Sequence, residues 1–435
     1  MTIEWARRLP VAGGSGKAAV LLGGLSVLAY VLSLSLLGTS KFYGHFLLVS
    51  IVAGLPLVPW MSFRALRMSG HLVAYIAVFV ALILLYGLHV AFFGSSTTQL
   101  DNVSRVGLGL VNGGFFYMLF GCRRDRLFRF VVLIAALHAF VASASIFYEA
   151  IEAVATTEWR FGVKTNPIPF SEMLMASVGL VAIVCIGHIE GGYRWARAVG
   201  LVAFVSLGML ALVLTGTRGT LLALVPLAVL MVANARTRSA RTTSLLAVVL
   251  LVALALAFPT PLRVQFGVLL TDLGHLWSKG EAADGLSTST GLRVMMWEMA
   301  LGLARSRPLL GYGAGSFPAL LADPALGLAK DSPIAAFNQL HNQYLDFLLE
   351  TGLVGLLLFG LLLGVAFSAG LRLYRQGVHR DRACALMWVS ACYGCFGLSQ
   401  AFFSHANTSL QFGVYLGLLM WTVPAARDEP APTGA

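Results

Sequence analysis

The chain has 435 residues, of which 58% are hydrophobic and 11% charged, with a mean hydropathy of +0.82 and a formal net charge of +11. That much apolar surface exceeds what one soluble core can hide, and it falls in runs of about 18 to 22 residues, the length at which a helix crosses a bilayer. A soluble globular enzyme is excluded, and the positive charge is explained by membrane topology without a nucleic-acid partner.

A hydropathy window predicts an all-α polytopic membrane protein with about twelve spans, near 18–37, 43–60, 72–93, 106–121, 128–148, 170–187, 198–214, 219–234, 244–258, 345–371, 383–402 and 410–424. The first run follows Arg7, Arg8 and Lys17 as a signal peptide would. It is longer than a signal h-region and lacks a clear small-residue cleavage site, so it reads as a retained span. One alternating set of loops holds Arg64/Arg67, Arg123/Arg124/Arg126/Arg129, Arg194/Arg197, Arg236/Arg238/Arg241 and Arg372/Arg375/Arg380/Arg382. The opposite set is nearly free of paired cations, which places the arginine-rich loops and both termini in the cytoplasm. The segments facing out are then 38–42, 94–105, 149–169, 215–218, about 259–344 and 403–409. Three regions result: spans one to nine in 1–258, an external helical loop in 259–344, and spans ten to twelve with a cytoplasmic tail in 345–435.

Along the outward face, Glu149 and Glu152 form an ExxE at a helix end, where a solvated terminus is the expected role rather than a metal pair. Arg218, in Thr215-Gly-Thr-Arg-Gly-Thr220, sits at the tip between two spans. Gly216 and Gly219 permit a sharp reversal there, and the free N–H groups of the next span, beside a guanidinium, make an anion site. In the long loop, Leu262, Phe266, Leu269, Leu270, Leu273 and Trp277 repeat at helical spacing and predict an apolar face lying along the membrane. A second helix runs from Leu292 to about Ser306, with Met296, Trp297, Ala300, Leu301 and Ala304 on one face and Arg307-Pro308 as its stop. Arg293 lies in its first turn, where the helix dipole disfavours a cation unless an anion offsets it. The run Leu310-Gly-Tyr-Gly-Ala-Gly-Ser-Phe317 follows no strand, so a tight turn packing against Trp297 is expected rather than a dinucleotide cradle.

His341, in HNQYLDFLLETG, stands where this loop re-enters a hydrophobic helix. The positive end of that helix and a nearby arginine would lower its pKa, keeping the imidazole neutral at pH 7 and able to accept a proton. A lone histidine at a helix start is usually a cap, but coupled to Arg218 and Arg293 across one outward face it becomes a general-base candidate.

The five cysteines, Cys122, Cys185, Cys384, Cys392 and Cys395, all fall in or beside spans. Cys392-Tyr-Gly-Cys395 has redox or metal spacing, but inside an apolar helix it reads as packing. The sequence holds no Walker A motif, no HExxH and no outward DxD, which removes nucleotide hydrolysis, zinc proteolysis and a carboxylate–Mg²⁺ clamp as leading activities. No metal or other cofactor is expected. The single long loop is external and off-centre, unlike the self-similar halves of a common transporter.

Three segments, TGTRGT around Arg218, GLRVMMWEMAL with SRPLLGYGAGSF, and HNQYLDFLLETGLVGLLL, resemble the Wzy/WaaL superfamily of O-antigen ligases and polymerases. The likeness spans about 200 to 370, and the twelve spans with one large loop look like the O-antigen ligase branch. The resemblance implies a bacterial inner-membrane glycosyltransferase of the GT-C type, moving a glycan from undecaprenyl diphosphate onto lipid A–core. It implies that His341 matches the family's essential histidine and that Arg218 and Arg293 match its essential arginines. Arg160, Lys164, Arg263 and Asn342 join the arginines as candidates for substrate or lipid phosphate, and membrane lipids are expected partners. Gly219-Thr220 departs from the small apolar pair of many members. An O-antigen polymerase would divide its external work between two sizeable loops, and a protein O-oligosaccharyltransferase would carry further soluble sequence. A lipid-linked glycan transporter, from a different class, would move substrate without forming a glycosidic bond.

Overall fold

The computed structural model describes residues 15–39, 43–61, 66–94, 97–152, 161–163, 166–189, 193–257, 289–323 and 334–425. Among these residues there are helices and no strands. The helices are α1 (Ser15–Ser35), α2 (Tyr43–Gly54), α3 (Gly70–Phe93), α4 (Thr97–Leu119), α5 (Arg124–Glu152), α6 (Pro167–Ile186), α7 (Arg194–Leu214), α8 (Leu224–Asn234), α9 (Arg238–Ala257), α10 (Ser289–Ser306), α11 (Phe317–Leu321), α12 (Gln343–Arg375), α13 (Arg380–Phe396) and α14 (Ala406–Trp421). Short 3₁₀ turns cover Leu55–Trp60, Gly219–Ala223 and Phe402–Ser404. Each stretch read from hydropathy as a span is helical over most of its described length, but the one expected over 383–402 ends at Phe396, and residues 397–401 separate it from the 3₁₀ turn at Phe402. Among the described residues, six helices are long and apolar enough to cross a membrane, within Ala18–Ser35, Gly70–Phe93, Arg124–Glu152, Pro167–Ile186, Trp195–Leu214 and Gln343–Arg375. Gly44–Val58 and Gly219–Asn234 are shorter apolar helices. The chain is an all-α, multi-pass membrane protein.

Local chemistry sets the helix ends. Ser69 caps α3 by accepting from Leu72 N at 3.1 Å, and Gly94, at φ 62°, closes it. Asn166 caps α6, which begins at Pro167, where a missing N–H is harmless.

Lipid supplies no hydrophobic drive between helices, so tight packing and internal hydrogen bonds hold them together. Gly109 of α4 and Gly413 of α14 let the two backbones touch; a Cβ on either would strike the other chain. Inside the bundle, His138 Nδ1 and Ser177 Oγ lie 2.9 Å apart, and Ser177 Oγ and Tyr415 Oη 2.7 Å apart, while Tyr393 Oη donates to Gln411 Oε1 at 2.9 Å. This network ties α5, α6, α13 and α14 where no water would satisfy the groups. Cys384 and Cys392 are buried and free, in keeping with a packing role.

The arginine-rich loops gather at one end. Arg382 pairs with Asp125, Arg236 reaches Asp381 at 3.4 Å, Arg124 donates to Arg67 O at 3.0 Å and Arg380 donates to Ala233 O at 2.7 Å.

The sequence-predicted helix over 262–277 lies outside the described residues. The second loop helix is present as α10, three residues earlier than expected. It buries Met296, Ala300 and Ala304 but leaves Leu301 exposed, because the apolar stripe is narrower than its spacing suggested. With Phe317, Leu321, Ile334, Leu340 and Leu349 it builds a second small core. The glycine run shares this small core with Trp297 through Tyr312 and Phe317, and it also docks onto α12 through its backbone. Gly311, Gly313 and Gly315 all take positive φ, and Tyr312 N and Gly313 N donate to Leu349 O and Glu350 O at 3.0 and 2.8 Å.

That docking exposes a feature hydropathy missed: α12 is broken at Gly352 (φ 66°, ψ −165°). The freed groups are answered by the strap before the glycine run, with Leu353 N and Val354 N donating to Pro308 O and Leu309 O at 2.8 and 3.2 Å. A Cβ at Gly352 would collide with the Leu309 backbone. Gly352→Ala therefore adds backbone strain of about 1–2 kcal/mol to a clash. It should lower the thermal midpoint in detergent and loosen the 308–313 strap; a midpoint equal to that of the unsubstituted protein would contradict this account.

Candidate active site

The site is assembled on the turn that follows α13, residues 397–400. Gln343 N donates to Gly397 O at 2.7 Å, and Asn342 Nδ2 approaches Leu398 O at 3.4 Å. Gln400 Oε1 lies 2.6 Å from His341 Nδ1. On its other side the same turn meets the Arg218 reversal: Gly219 lies so close to Ser399 that a Cβ there would overlap its side chain. Gly219 is thus needed for close approach, while Gly216, at φ 65°, makes the turn itself. Arg218 and His341, distant in sequence, flank one short segment.

The Arg218 turn is held by buried hydroxyls. Thr215 Oγ1 and Thr217 Oγ1 are 2.9 Å apart, Thr217 Oγ1 and Thr220 Oγ1 3.3 Å, and Thr220 Oγ1 and Ser171 Oγ of α6 2.7 Å. The chain after Arg218 begins as a five-residue 3₁₀ turn, not the α-helical N-terminus expected. That short turn does not offer the α-helical N-terminus on which the expected anion site relied.

Arg293 enters from α10. Because the helix starts at Ser289, Arg293 lies a full turn inside it and is half-buried. One turn further, Trp297 Nε1 donates to Leu340 O at 2.8 Å, and Asp346 Oδ1 accepts from Leu340 N at 2.9 Å. Both sides of the residue before His341 are clamped, which holds His341 at φ 51°, a left-handed conformation that costs a non-glycine residue about 1 kcal/mol or more. Phe337 meets the imidazole edge-on at a centroid distance of 5.6 Å.

The pKa of His341 lies below its ordinary value of 6.5: burial is the chief cause, the Gln400 contact opposes it, and the charge of Arg293 adds to it. The direction agrees with the expectation from sequence; the main cause does not, since desolvation outweighs the charge and dipole effects first considered. The charge of Arg293 is therefore felt at the imidazole. Burial, then the charge of His341, push His405 down to about 4.

Asn342 is the N-cap of α12, its Oδ1 accepting from Tyr344 N and Leu345 N at 3.1 Å each. Its oxygen serves the helix, leaving its amide N–H groups for other partners. Arg160, Lys164 and Arg263 lie outside the described residues. Glu149 is not simply solvated: its Oε2 accepts from Gly162 N and Val163 N at 3.0 and 2.6 Å, pinning the outward segment, while Glu152 Oε1 takes the Tyr148 hydroxyl. Among the described residues, no three His, Cys, Asp or Glu side chains group in a way that could hold a metal ion.

A neutral imidazole beside two guanidinium-bearing elements can accept a proton while an anion is held nearby. Residues 201–360 match the O-antigen ligase family model. The matched segment takes in Arg218, Arg293, His341 and the break at Gly352, and it stops short of the 397–400 turn that His341 and the Arg218 reversal border. Members of the family are membrane glycosyltransferase-like enzymes, and their general partners are a lipid-linked glycan and a lipid acceptor. The match supports a function of the O-antigen ligase or polymerase type in general terms. No curated protein matches the chain.

Sequence reasoning did not single out Gln400, His405, Gln339, Trp297 as a hydrogen-bond donor, or Asp346. A histidine in the short outward segment 403–409 was the one signal available for His405.

A base that works only when neutral loses activity as pH falls through its pKa. Turnover should hold at pH 7–8 and decline with an acid limb below 6.5, the ordinary value of this imidazole. A limb centred above 6.5 would exclude His341, as it is placed here, from that role.

Proposed function

We propose that the protein is an O-antigen ligase: an inverting, metal-independent glycosyltransferase that moves a glycan from undecaprenyl diphosphate onto lipid A–core in the bacterial inner membrane. The observation that carries this reading is that His341 and the Arg218 reversal border one short turn, 397–400, while the charge of Arg293 acts on His341, at the end of the bundle away from the gathered arginine loops. In this topology the chain crosses the bilayer about twelve times with a GT-C type arrangement. Both termini and the arginine loops are cytoplasmic, and the site faces the periplasm. The organisation remains that of spans in 1–258, an external loop in 259–344, and further spans with a cytoplasmic tail in 345–435.

A sugar linked to diphosphate is already activated. The protein must hold the leaving group, offset its growing charge and take a proton from the acceptor. Arg218 and Arg293 hold phosphate oxygens through their planar, multi-donor guanidinium groups. The acceptor hydroxyl oxygen attacks the anomeric carbon from the face opposite the diphosphate, the bond from carbon to diphosphate oxygen breaks, and His341 receives the hydroxyl proton. One displacement inverts the anomeric centre and leaves undecaprenyl diphosphate as the product. Arg160, Lys164, Arg263 and the amide of Asn342 are assigned to looser contacts with lipid or core phosphates.

The test is bond formation by purified protein in detergent, where no gradient exists to drive transport. Lipid A–core, a second donor molecule and a pilin are offered as acceptors, and sugar should appear on lipid A–core. His341→Ala should reduce turnover by about 10²–10⁴-fold with donor still bound, and Arg218→Ala or Arg293→Ala should weaken donor binding or kcat. Full activity in EDTA is expected. Activity lost in EDTA and restored by Mg²⁺ would overturn the metal-free scheme, and elongation of a second donor instead of lipid A–core would make the protein a polymerase.

A further inference from the structure

Gln400 and His405, beyond the matched family domain, surround His341 in a way that determines where its proton sits. A carboxamide oxygen only accepts hydrogen bonds, so the 2.6 Å contact between Gln400 Oε1 and His341 Nδ1 puts the hydrogen on Nδ1 and the lone pair on Nε2. The amide is held from turning over by its other end. Gln400 Nε2 lies 2.9 Å from His405 Nε2, and Gln339 Nε2 lies 3.1 Å from the same nitrogen. Two amide N–H groups meeting one ring nitrogen require a lone pair there, so His405 is neutral and carries its hydrogen on Nδ1. A flipped Gln400 would set its oxygen against that lone pair and its N–H against the N–H of His341.

The arrangement is rigid. Gln400 is fully buried, and its own N–H donates to Phe396 O at 2.9 Å. The His405 carbonyl accepts from Ser409 N and Thr408 Oγ1, both at 3.0 Å.

We infer that Gln400, locked by His405, is a positioning residue that fixes His341 as its Nδ1–H tautomer and, because it is uncharged, keeps Nε2 a weak and neutral base. A carboxylate in that place would orient the ring equally well but would favour the imidazolium. The groups facing His341 would then change in balance. At present they are Arg293 of α10, His405 before α14 and Gln400, with Asp346 of α12 engaged on the neighbouring Leu340 N–H. An imidazolium could not take a further proton, so a neutral amide suits a base that must start uncharged. The kinetic half of this inference rests on the glycan-transfer proposal; the tautomer half does not.

Two measurements on the full chain decide it. In ¹⁵N-histidine-labelled protein in nanodiscs, with His341→Asn supplying the assignment, His341 should give the Nδ1–H signature. Gln400→Leu should turn it into a tautomer mixture, and Gln400→Glu, nearly the same size, should move its titration midpoint upward. In the transfer assay, Gln400→Leu should lower kcat by about 10- to 100-fold with little change in donor KM. Gln400→Glu should shift the acid limb upward, and His405→Ala should weaken kcat in the same sense. An Nε2–H signature in the unsubstituted protein, or an unchanged tautomer and midpoint in both Gln400 variants, would overturn the inference. Absence of transfer by the unsubstituted protein, with the nuclear signals as expected, would sink the ligase proposal while leaving the positioning role of Gln400 standing.

Discussion

The Gly397–Gln400 turn is the constraint on which the site depends. It accepts from Gln343 N at the start of α12, presents an amide to His341, and offers Ser399 to a glycine beside Arg218. Each of these contacts is short range, and none is made by neighbours in sequence. A shift of this turn would move the arginine reversal, the histidine and the helix N-cap together, which makes the three behave as one unit.

A second constraint comes from the bilayer. A helix that breaks inside or near hydrocarbon exposes carbonyl and N–H groups that water cannot reach, and each must find a protein partner. The break at Gly352 meets this requirement through the 308–313 strap, whose own glycines take the positive φ that close backbone contact demands. The strap belongs to the same loop as Arg293 and His341. The broken helix thereby anchors the loop to the membrane-embedded bundle, and the small core around Met296, Phe317 and Leu340 completes the junction.

The described polar contacts at the two ends of the bundle differ in kind. At one end arginines are numerous and engaged with Asp125, Asp381 and main-chain carbonyls, so their charge serves assembly. At the other, the groups described around His341 and the Arg218 turn are a neutral amide, a second imidazole and a chain of buried hydroxyls, which orient the two segments through hydrogen bonds.

The sequence by itself determined the class, the helices and three of the chemical groups. Composition and twenty-residue apolar runs report directly on the solvent that surrounds the chain, and arginine spacing reports on which loops share an end, so both are legible without coordinates. Arg218, Arg293 and His341 stood out because a charged or titratable group beside glycines or at a helix start is unusual in such an apolar chain. Tertiary structure alone decided the rest. Gly352 reads as one more small residue in an apolar helix until the strap is seen against it, and Trp297 reads as a core aromatic until its N–H meets Leu340 O. Gln400 and His405 carry no local signature, since the meaning of a neutral amide lies in which nitrogen faces it. That geometry is fixed by packing between helices far apart in the chain, and no periodicity or composition encodes it.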